Sequence, residues 1–445
     1  MKQISILSII ILMIIPTLTG CDLSFSNKNN VNMLVLFKSD IEKYEDFNEK
    51  LKSDKKINLD FDYLIDDDEY YTGDLWSAIE IGLNEKLKNE DIDIIANIPT
   101  PYLYEPIKNK QLESFEKYLD KDKFNISNIY QPIVDISKKA GNGEIFFLSP
   151  SFNNKMLVIN NDIFNKLKIN VPTNTLTWSE VYDLSLLINK KGKDFEDIYP
   201  ISLGPGGKSG LFMDFELLTS VRELSLLDNS SNIYPNKEWI TLIDQFVKLF
   251  KTNGESNKLD SIDDMFFQGK VGMKILYPKD LNVLYNKYST QELGFKLANF
   301  EYTVLPAPEF DDKKNITYID MKNLAISKNS KKKDLAWKTI KYAMSKDYAS
   351  FMANSERNAF MGKFTSYKDD EILKIYSKKY EGINPEFFYS GTEGPTKPED
   401  FTEEKYVYYH KLARKYFPDM IENKLTVEKG IEKIRNDFKK KTEGN

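Results

Sequence analysis

The sequence predicts an α/β fold with a parallel sheet, and two stretches of the chain carry that prediction. The first, residues 31–96, alternates apolar runs of strand length with helical patterns, in the order strand, helix, strand, helix, strand. The second, residues 143–180, contains two short apolar runs, a polar segment between them and a marked helix start. Strands that alternate with helices in this way are typical of a parallel sheet covered by helices.

The first stretch divides into three strands and two helices by its periodicity. Residues 31–37 read as a short buried strand with one polar residue, Asn32, near its edge, and residues 57–65 alternate apolar and polar side chains with the period of a half-buried strand. Residues 41–51 predict a helix, and residues 75–87 carry apolar side chains at four-residue spacing along one helical face. Residues 92–96 complete the unit as a third strand.

The second stretch predicts a strand, a crossing and another strand. Residues 144–148 and 156–159 are both short apolar runs. The polar residues 149–154 between them favour a turn that exposes one aromatic ring, that of Phe152.

Helix starts and apolar faces predict several further elements. Thr177 precedes Glu180 by three residues, which is the spacing of a capping box, so a helix is expected to begin there. Residues 239–250 predict an amphipathic helix, residues 323–327 a strand, and residues 334–344 another helix.

The C-terminal part of the chain predicts a loop and then a helix. Residues 365–404 contain several glycines and prolines and few clear periods, which favours a loop-rich segment. Residues 425–438 predict a closing helix because Thr426 is a suitable cap and the apolar residues after it share one face.

Composition excludes several classes of function. The chain of 445 residues has 62 lysines and arginines against 68 aspartates and glutamates. This near balance is typical of a solvated surface rather than of a surface that binds nucleic acid. It has one cysteine, Cys21, and one histidine, His410, so an internal disulfide is impossible and zinc sites of cysteine and histidine lack ligands. A Ser-His-Asp triad would have to use His410, whose aromatic setting favours a packing or surface role. No cofactor or metal is expected.

The N-terminus predicts a lipoprotein signal. Residues 4–18 are mostly apolar, and the run ends in Leu-Thr-Gly directly before Cys21. The run is short for a membrane span, and this ending is one that a lipoprotein signal peptidase accepts, although a plain signal peptide or anchor helix is the alternative. We expect removal of residues 1–20, a lipid on Cys21, and a flexible tether over residues 21–30.

Several motifs, taken in order, resemble those of one protein family. Residues 143–150 resemble a G-x-I-Y-x-L-P strand, 158–164 a Y-N-x-D-x-F segment, and 172–180 a P-x-T-W-x-E helix start. Residues 265–273 resemble F-x-x-G-K-x-A-M, and 304–308 resemble an L-P-x-P crossover. The chain thus resembles the extracellular solute-binding proteins of bacterial ABC importers, in the branch similar to maltose-binding protein.

One departure from the family pattern affects a helix end. Lys168 stands where the family often has a helix-ending glycine. Either Lys168 adopts a left-handed conformation at a cost of ~1 kcal/mol, or the helix ends differently.

The resemblance implies a two-lobed fold like that of the periplasmic binding proteins, with a hinge and a central ligand cleft. Three chain crossings, near Pro150, Leu305 and Asn358, would divide the chain into two discontinuous α/β lobes. The expected first lobe is 31–150 with 306–357, and the second is 151–305 with 358–445, including the C-terminal helices.

The resemblance also implies which side chains face the cleft. They are Asn97, Thr100, Tyr102, Phe152, Asn153, Asn154, Gly204, Gly206, Tyr277, Asp320 and Met321. Rings stack on the C–H faces of sugars, and amides and carboxylates bond their hydroxyls. Because none of these residues is arginine, a neutral carbohydrate, in particular an oligosaccharide, is favoured over an anion, although Lys279 near Tyr277 makes that exclusion partial. Trp178 and Trp337 are expected to pack at helix starts instead.

The implied function is ligand capture without a covalent step. The lobes would close over a small molecule, and the closed form would be recognised by the permease subunits of an ABC transporter. The protein is expected to be a monomer, lipid-anchored through Cys21 at the extracytoplasmic face of the cell membrane, with no nucleic-acid partner. Two alternatives stay open: a sugar-binding receptor for a membrane sensor kinase, and an anchored glycoside hydrolase that would need only two carboxylates.

Overall fold

The computed structural model describes most of the chain that follows the predicted signal. The described residues are 27–67, 75–88, 91–195, 197–203, 227–228, 232–234, 236–252, 262–277, 280–285, 294, 296–311, 319–355, 363–391 and 403–443. Within these ranges, no helix combines the length and the hydropathy that a membrane span requires.

The described strands form three sheets. They are β1 (Asn30–Phe37), β2 (Asn58–Ile65), β3 (Ile94–Ala96), β4 (Phe147–Leu148), β5 (Ser151–Asn154), β6 (Met156–Asn160), β7 (Tyr199–Ser202), β8 (Val271–Leu276), β9 (Tyr302–Pro306), β10 (Ile319–Met321), β11 (Leu324–Ile326) and β12 (Phe364–Thr365). The first sheet has the order β2-β1-β3-β11-β4, and the second has the order β7-β8-β6-β9. The remaining strands form a small sheet, β10-β5-β12, which we call the bridging sheet.

Helices surround the sheets. They are α1 (Glu45–Lys55), α2 (Leu75–Lys86), α3 (Tyr104–Lys108), α4 (Glu116–Asp122), α5 (Gln131–Ala140), α6 (Asn161–Lys166), α7 (Trp178–Gly192), α8 (Lys237–Lys251), α9 (Ile262–Phe267), α10 (Leu281–Leu284), α11 (Lys333–Ala343), α12 (Lys346–Asn354), α13 (Asp370–Lys379), α14 (Glu403–Ile421) and α15 (Val427–Glu443). Short 3-10 helices occupy Asn27–Asn29, Lys38–Tyr44, Thr100–Leu103 and Pro385–Tyr389.

The first sheet confirms the predicted parallel unit. β1 pairs in parallel with β2 on one side and with β3 on the other, so that Met33 lies beside both Phe61 and Ile94. β11 then joins β3 in the antiparallel direction. Because β1 lies between β2 and β3 and is covered on both faces, Leu34 is as fully buried as Met33, and residues 33–37 are all apolar.

The second sheet is buried on both faces for the same reason. Met156 and Val158 on β6 pack into one hydrophobic cluster, while Leu157 and Ile159 pack into another. The alternation follows from the two-residue period of a strand. The first cluster also contains the buried side chains of the first sheet and those on one face of the bridging sheet. The second cluster contains the buried side chains of α7, α8, α14 and α15.

The bridging sheet corrects one prediction. Residues 149–154 were expected to form a turn, yet residues 151–154 are β5, the central strand of this sheet. The expected exposure of Phe152 is wrong as well, since its exposed fraction is 0%. Turn-forming residues and a strand are hard to separate here because β5 is only four residues long. Two of its strands, β5 and β10, lie on chain segments that run between the first and second sheets.

Local capping was predicted correctly. The Thr177 hydroxyl accepts a hydrogen bond from the Glu180 amide at 3.2 Å, and the Glu180 carboxylate accepts one from the Thr177 amide at 2.7 Å. At the end of α6, Lys168 adopts a left-handed backbone with φ 53°. The first of the two alternatives for Lys168 is therefore the one observed, at a cost of ~1 kcal/mol relative to glycine.

The segment after residue 365 was expected to be loop-rich, and this expectation is wrong for much of it. It contains α13 and the 3-10 helix at Pro385–Tyr389. The start of α13 carries a readable signal, because the Asp369 carboxylate accepts hydrogen bonds from the amides of Glu371 and Ile372. The predicted closing helix is confirmed as α15, with the Lys429 amide donating to the Thr426 hydroxyl at 3.3 Å.

The C-terminal segments of the chain belong to two different hydrophobic clusters. Phe364, Tyr376 and Phe388 pack in the first cluster, whereas Tyr409 and Phe438 pack in the second. The expected lobe boundaries stay a prediction, and this grouping associates residues 363–391 with the core of the first sheet.

Candidate functional site

The bridging sheet has one apolar and one polar face. Successive side chains on a strand point to opposite faces, and residues paired across strands share a face. Phe152 pairs with Met321 on β10 and with Phe364 on β12, and all three are buried. Asn153 pairs with Asp320, and both are partly exposed. One face is therefore packed into the protein, and the other is accessible to a ligand.

Aromatic packing fixes the apolar face. The Phe152 ring lies 5.0 Å from the Tyr130 ring and 5.4 Å from that of Tyr389. Phe364 stacks on Phe388 with centroids 4.2 Å apart and planes at 11°. Phe152 thus presents no surface for stacking on a ligand, and its ring supports the strand from behind.

Of the three consecutive candidates on β5, Asn153 is the one with an exposed side chain. Asn154 is 1% exposed, and its amide donates a hydrogen bond to the Phe388 carbonyl at 2.7 Å. Met321, opposite Phe152, is also buried. These neighbours hold Asn153 in place.

The polar face carries charged groups next to Asn153. The Asp320 carboxylate forms an ion pair with Lys322 at 2.8 Å, and the Lys322 amide donates to the Ser149 hydroxyl at 2.7 Å. Lys363 immediately precedes Phe364, and extending the β12–β5 register by one residue places Lys363 opposite Asn153. Lys363, Asn153 and Asp320 therefore lie in one row across the sheet.

Polar groups also gather at the carboxyl edge of the first sheet, where ligands bind in open α/β sheets. Asp40 follows β1 and is 1% exposed, and it forms an ion pair with Lys43 at 2.5 Å. Asn97 follows β3 in a left-handed conformation with φ 61°, and its amide donates to the Asp40 carboxylate at 2.8 Å. Asparagine tolerates this conformation better than most residues, so the turn after β3 aims Asn97 at Asp40.

A second link ties this edge to the bridging sheet. Asn323, between β10 and β11, accepts a backbone hydrogen bond from Asn97 at 2.9 Å. Its side-chain amide donates to the Thr100 hydroxyl at 3.0 Å. Thr100 is buried, and Tyr102 is also buried, lining a small cavity with Leu83 of α2. Asn97 and Thr100 are thus both held by Asn323, which lies two residues after β10.

The second sheet contributes Tyr277. It follows β8, and its amide donates to the Asp280 carboxylate at 3.0 Å. Lys155 lies two residues beyond Asn153 along the chain, and its ammonium is 4.9 Å from the centroid of the Tyr277 ring. The second sheet and the bridging sheet therefore meet at Lys155.

The electrostatics show which charges share this site. Burial, followed by the nearby cations Lys322 and Lys43, lowers the pKa of Lys363 to about 8, and the carboxylates Asp40 and Asp320 offset part of this effect. These groups come from the edge of the first sheet and from the bridging sheet, so the charges of the two regions interact with one another.

Gly204 and Gly206 lie outside the described residues, as does Lys279. Trp337 packs as expected, stacked on Tyr118 at 5.5 Å. No cluster of three metal-ligating side chains occurs in the described ranges.

Sequence reasoning missed several polar residues of the site. They are Asp40, Lys43, Lys155, Lys322, Asn323 and Lys363. Asp40 could have been found as the first buried carboxylate after a predicted strand, by the logic that selected Asn97. Lys363 gave no signal, because β12 is only two residues long.

Two α/β sheets joined through a bridging sheet, with polar groups at the junction, define a two-lobed binding protein with a cleft between the lobes. The model of the family "Bacterial extracellular solute-binding protein" matches residues 37–350. The chain belongs to that family.

Solved structures share the fold. A sugar transporter from Rhizobium etli in an open conformation is 15% identical, with 92% of this chain and 99% of that chain covered and a TM-score of 0.67. The sugar-binding protein MalE from Xanthomonas citri is 14% identical, with 92% and 96% covered and a TM-score of 0.66. An ABC substrate-binding protein from Listeria monocytogenes in complex with cycloalternan is 15% identical, with 94% and 99% covered and a TM-score of 0.62.

Proposed function

We propose that this protein captures a carbohydrate, in particular an oligosaccharide, at the extracytoplasmic face of the membrane and delivers it to the permease of an ABC importer. It acts by binding rather than catalysis. The proposal is supported by the family and by similar structures that are described as sugar-binding or in complex with cycloalternan.

The observation that carries the proposal is the polar face of the bridging sheet. Asn153 and Asp320 offer an amide and a carboxylate in one row, and sugar hydroxyls bond to such groups. Tyr277, at the adjoining edge of the second sheet, offers an aromatic ring. Together, an amide, a carboxylate and an aromatic ring would suit a pyranose ring with its hydroxyls.

Closure of the lobes would complete the site. Ligand groups that contact both sheets stabilise the closed state relative to the open one, and this difference in affinity is what shifts the equilibrium. The closed state would then be the form that the permease recognises. No covalent step is required.

The role of Tyr277 provides the test. A thermal-shift screen of sugars and oligosaccharides selects a ligand, and calorimetry then compares Tyr277→Ala with Tyr277→Phe. Loss of the ring should weaken binding by roughly ten- to a hundredfold, on the order of 1–3 kcal/mol. Tyr277→Phe keeps the ring and should bind like the parent. If no carbohydrate binds, the proposed ligand class is wrong.

Membrane attachment is proposed through a lipid on Cys21, which lies outside the described residues. The motivation is the Leu-Thr-Gly-Cys ending of the apolar N-terminal run. Cys21→Ala should leave the precursor unprocessed or release the protein from the membrane fraction. Normal processing and attachment of that variant would argue against the anchor.

A further inference from the structure

Among the described residues around Asp40 and Asp320, lysines outnumber carboxylates. Asp40 forms an ion pair with Lys43 at 2.5 Å, and Asp320 forms one with Lys322 at 2.8 Å. Each carboxylate thus has its own lysine. Among the described residues, none pairs with Lys363 or accepts a hydrogen bond from it.

The position of Lys363 is set by the residue that follows it. Phe364, the next residue, stacks on Phe388 and pairs with Phe152. That anchoring fixes the backbone, and the strand alternation turns Lys363 toward the polar face beside Asn153. Lys363 is therefore a half-buried cation held in the row that carries the proposed ligand contacts.

The charge of Lys363 is unfavourable at this position when no ligand is bound. Its surroundings contain the cations Lys43 and Lys322 as well as the carboxylates Asp40 and Asp320. Taking a charge out of water without a dedicated partner is costly, and a third positive charge beside two others adds repulsion. Such arrangements are concentrated at functional sites, where a ligand supplies the missing charge.

We propose that Lys363 binds an anionic group of the ligand, so that the carbohydrate captured here is acidic, carrying the carboxylate of a uronic acid or a sulfate ester. This inference rests on the proposed function and specifies its ligand. It departs from the neutral sugar that the sequence favours, because that expectation considered arginines and did not include Lys363.

The arrangement divides recognition between two kinds of group. Lys363 provides a point charge with three donors, which suits a carboxylate or sulfate oxygen without demanding one planar geometry. Asn153 and Tyr277 remain for the hydroxyls and the ring face. The charge of the ligand would thus be selected separately from its sugar framework.

The test uses matched pairs of probes that differ only in charge. Trigalacturonate is compared with its methyl ester, and a sulfated disaccharide with its unsulfated parent, by calorimetry at pH 7. The wild type should bind at least one acidic probe roughly ten- to a hundredfold more tightly than its neutral partner, as expected for a charge-assisted hydrogen bond. The two pairs distinguish a carboxylate from a sulfate.

Variants of Lys363 assign the preference to this residue. Lys363→Met should lose the preference for the acidic probe by the same factor while binding of the neutral partner changes little. Lys363→Arg should retain it. Lys374→Met, at an exposed lysine on α13, removes the same charge elsewhere and should leave both affinities unchanged.

A pH series separates a direct role from a structural one. Because the pKa of Lys363 is lowered to about 8, its charge is lost as the pH rises above that value. Wild-type affinity for the acidic probe should fall by up to about tenfold per pH unit above 8, and Lys363→Arg should not follow this decline.

The possible results distinguish a failure of the acidic-ligand proposal from a failure of carbohydrate capture itself. Neutral sugars that bind the wild type as tightly as their acidic partners would overturn the acidic ligand and leave carbohydrate capture intact. A screen that returns only anions without a sugar framework would overturn both. Acidic sugars that fail to bind, or that bind independently of Lys363, would also overturn the inference.

Discussion

The two faces of the bridging sheet place the same strands in opposite physical environments. Behind β5, the Phe152 ring contacts Tyr130 and Tyr389 and has no exposed surface. In front of it, Asn153 and Asp320 stay partly exposed beside a half-buried cation, Lys363. Two neighbouring residues of β5, Phe152 and Asn153, therefore lie on opposite faces, one packed into the interior and the other on the polar face.

The contrast predicts that substitutions on the apolar face will change stability, whereas substitutions on the polar face will change ligand binding. Aromatic packing on the apolar face stabilises the fold and positions the strand, so changes there should reduce the free energy of unfolding. Polar groups on the other face contribute less to stability, and one of them is unfavourable in the empty protein. Changes there should alter affinity while the fold persists.

The largest effect on the free energy of unfolding is expected on the apolar face of β5. Phe152→Ala removes a fully buried ring from an aromatic cluster and should lower the free energy of unfolding by about 3–5 kcal/mol. Urea unfolding measures the loss, and Phe152→Leu, which keeps most of the volume, should lose less. A loss below about 1 kcal/mol for the alanine variant would mean that the apolar face is not a stabilising core.

An intermediate effect is expected where the edge of the first sheet meets the bridging sheet. Asn323 is 1% exposed and donates to both the Thr100 hydroxyl and the Ile98 carbonyl. Asn323→Ala leaves these acceptors without that donor and should cost about 1–3 kcal/mol in unfolding experiments. Ligand affinity should fall as well, because the Asn323 side chain holds Ile98 and Thr100, which follow Asn97 along the chain. Unchanged stability would show that the two regions are not coupled through this side chain.

The smallest effect has the opposite sign. Lys363→Met removes an unfavourable half-buried charge and should raise the free energy of unfolding by about 1 kcal/mol at pH 7. The folded-state pKa of about 8 lies below the ordinary value of 10.5, so the unfolded chain binds more protons between these values. Wild-type stability should therefore rise relative to the variant from pH 8 to 10.5. A difference that stays constant with pH would contradict this account.

Sequence reasoning recovered the elements whose signals are local. The alternation in residues 57–65, the capping box at Thr177 and the apolar runs of β1 and β6 follow from periodicity and capping alone. It missed β5, because a four-residue strand with three polar residues also has the composition of a turn.

The candidate site could be predicted only in part because its geometry is long-range. Asn97 and Asp320 were predicted through the resemblance, and Tyr277 through a motif that resembles the family's, and these stay predictions. Lys363 lies opposite Asn153 only because β12 pairs with β5 from a distant part of the sequence. No local pattern encodes that pairing, so the excess of positive charge could not be read from the chain.

The measurement that tests the central claim most directly is small-angle X-ray scattering of the soluble protein with and without its tightest carbohydrate. Ligand contacts from both sheets should favour the closed form, so the radius of gyration should decrease on saturation and stay unchanged with a sugar that does not bind. A carbohydrate that binds tightly and leaves the scattering profile unchanged would contradict capture between two closing lobes.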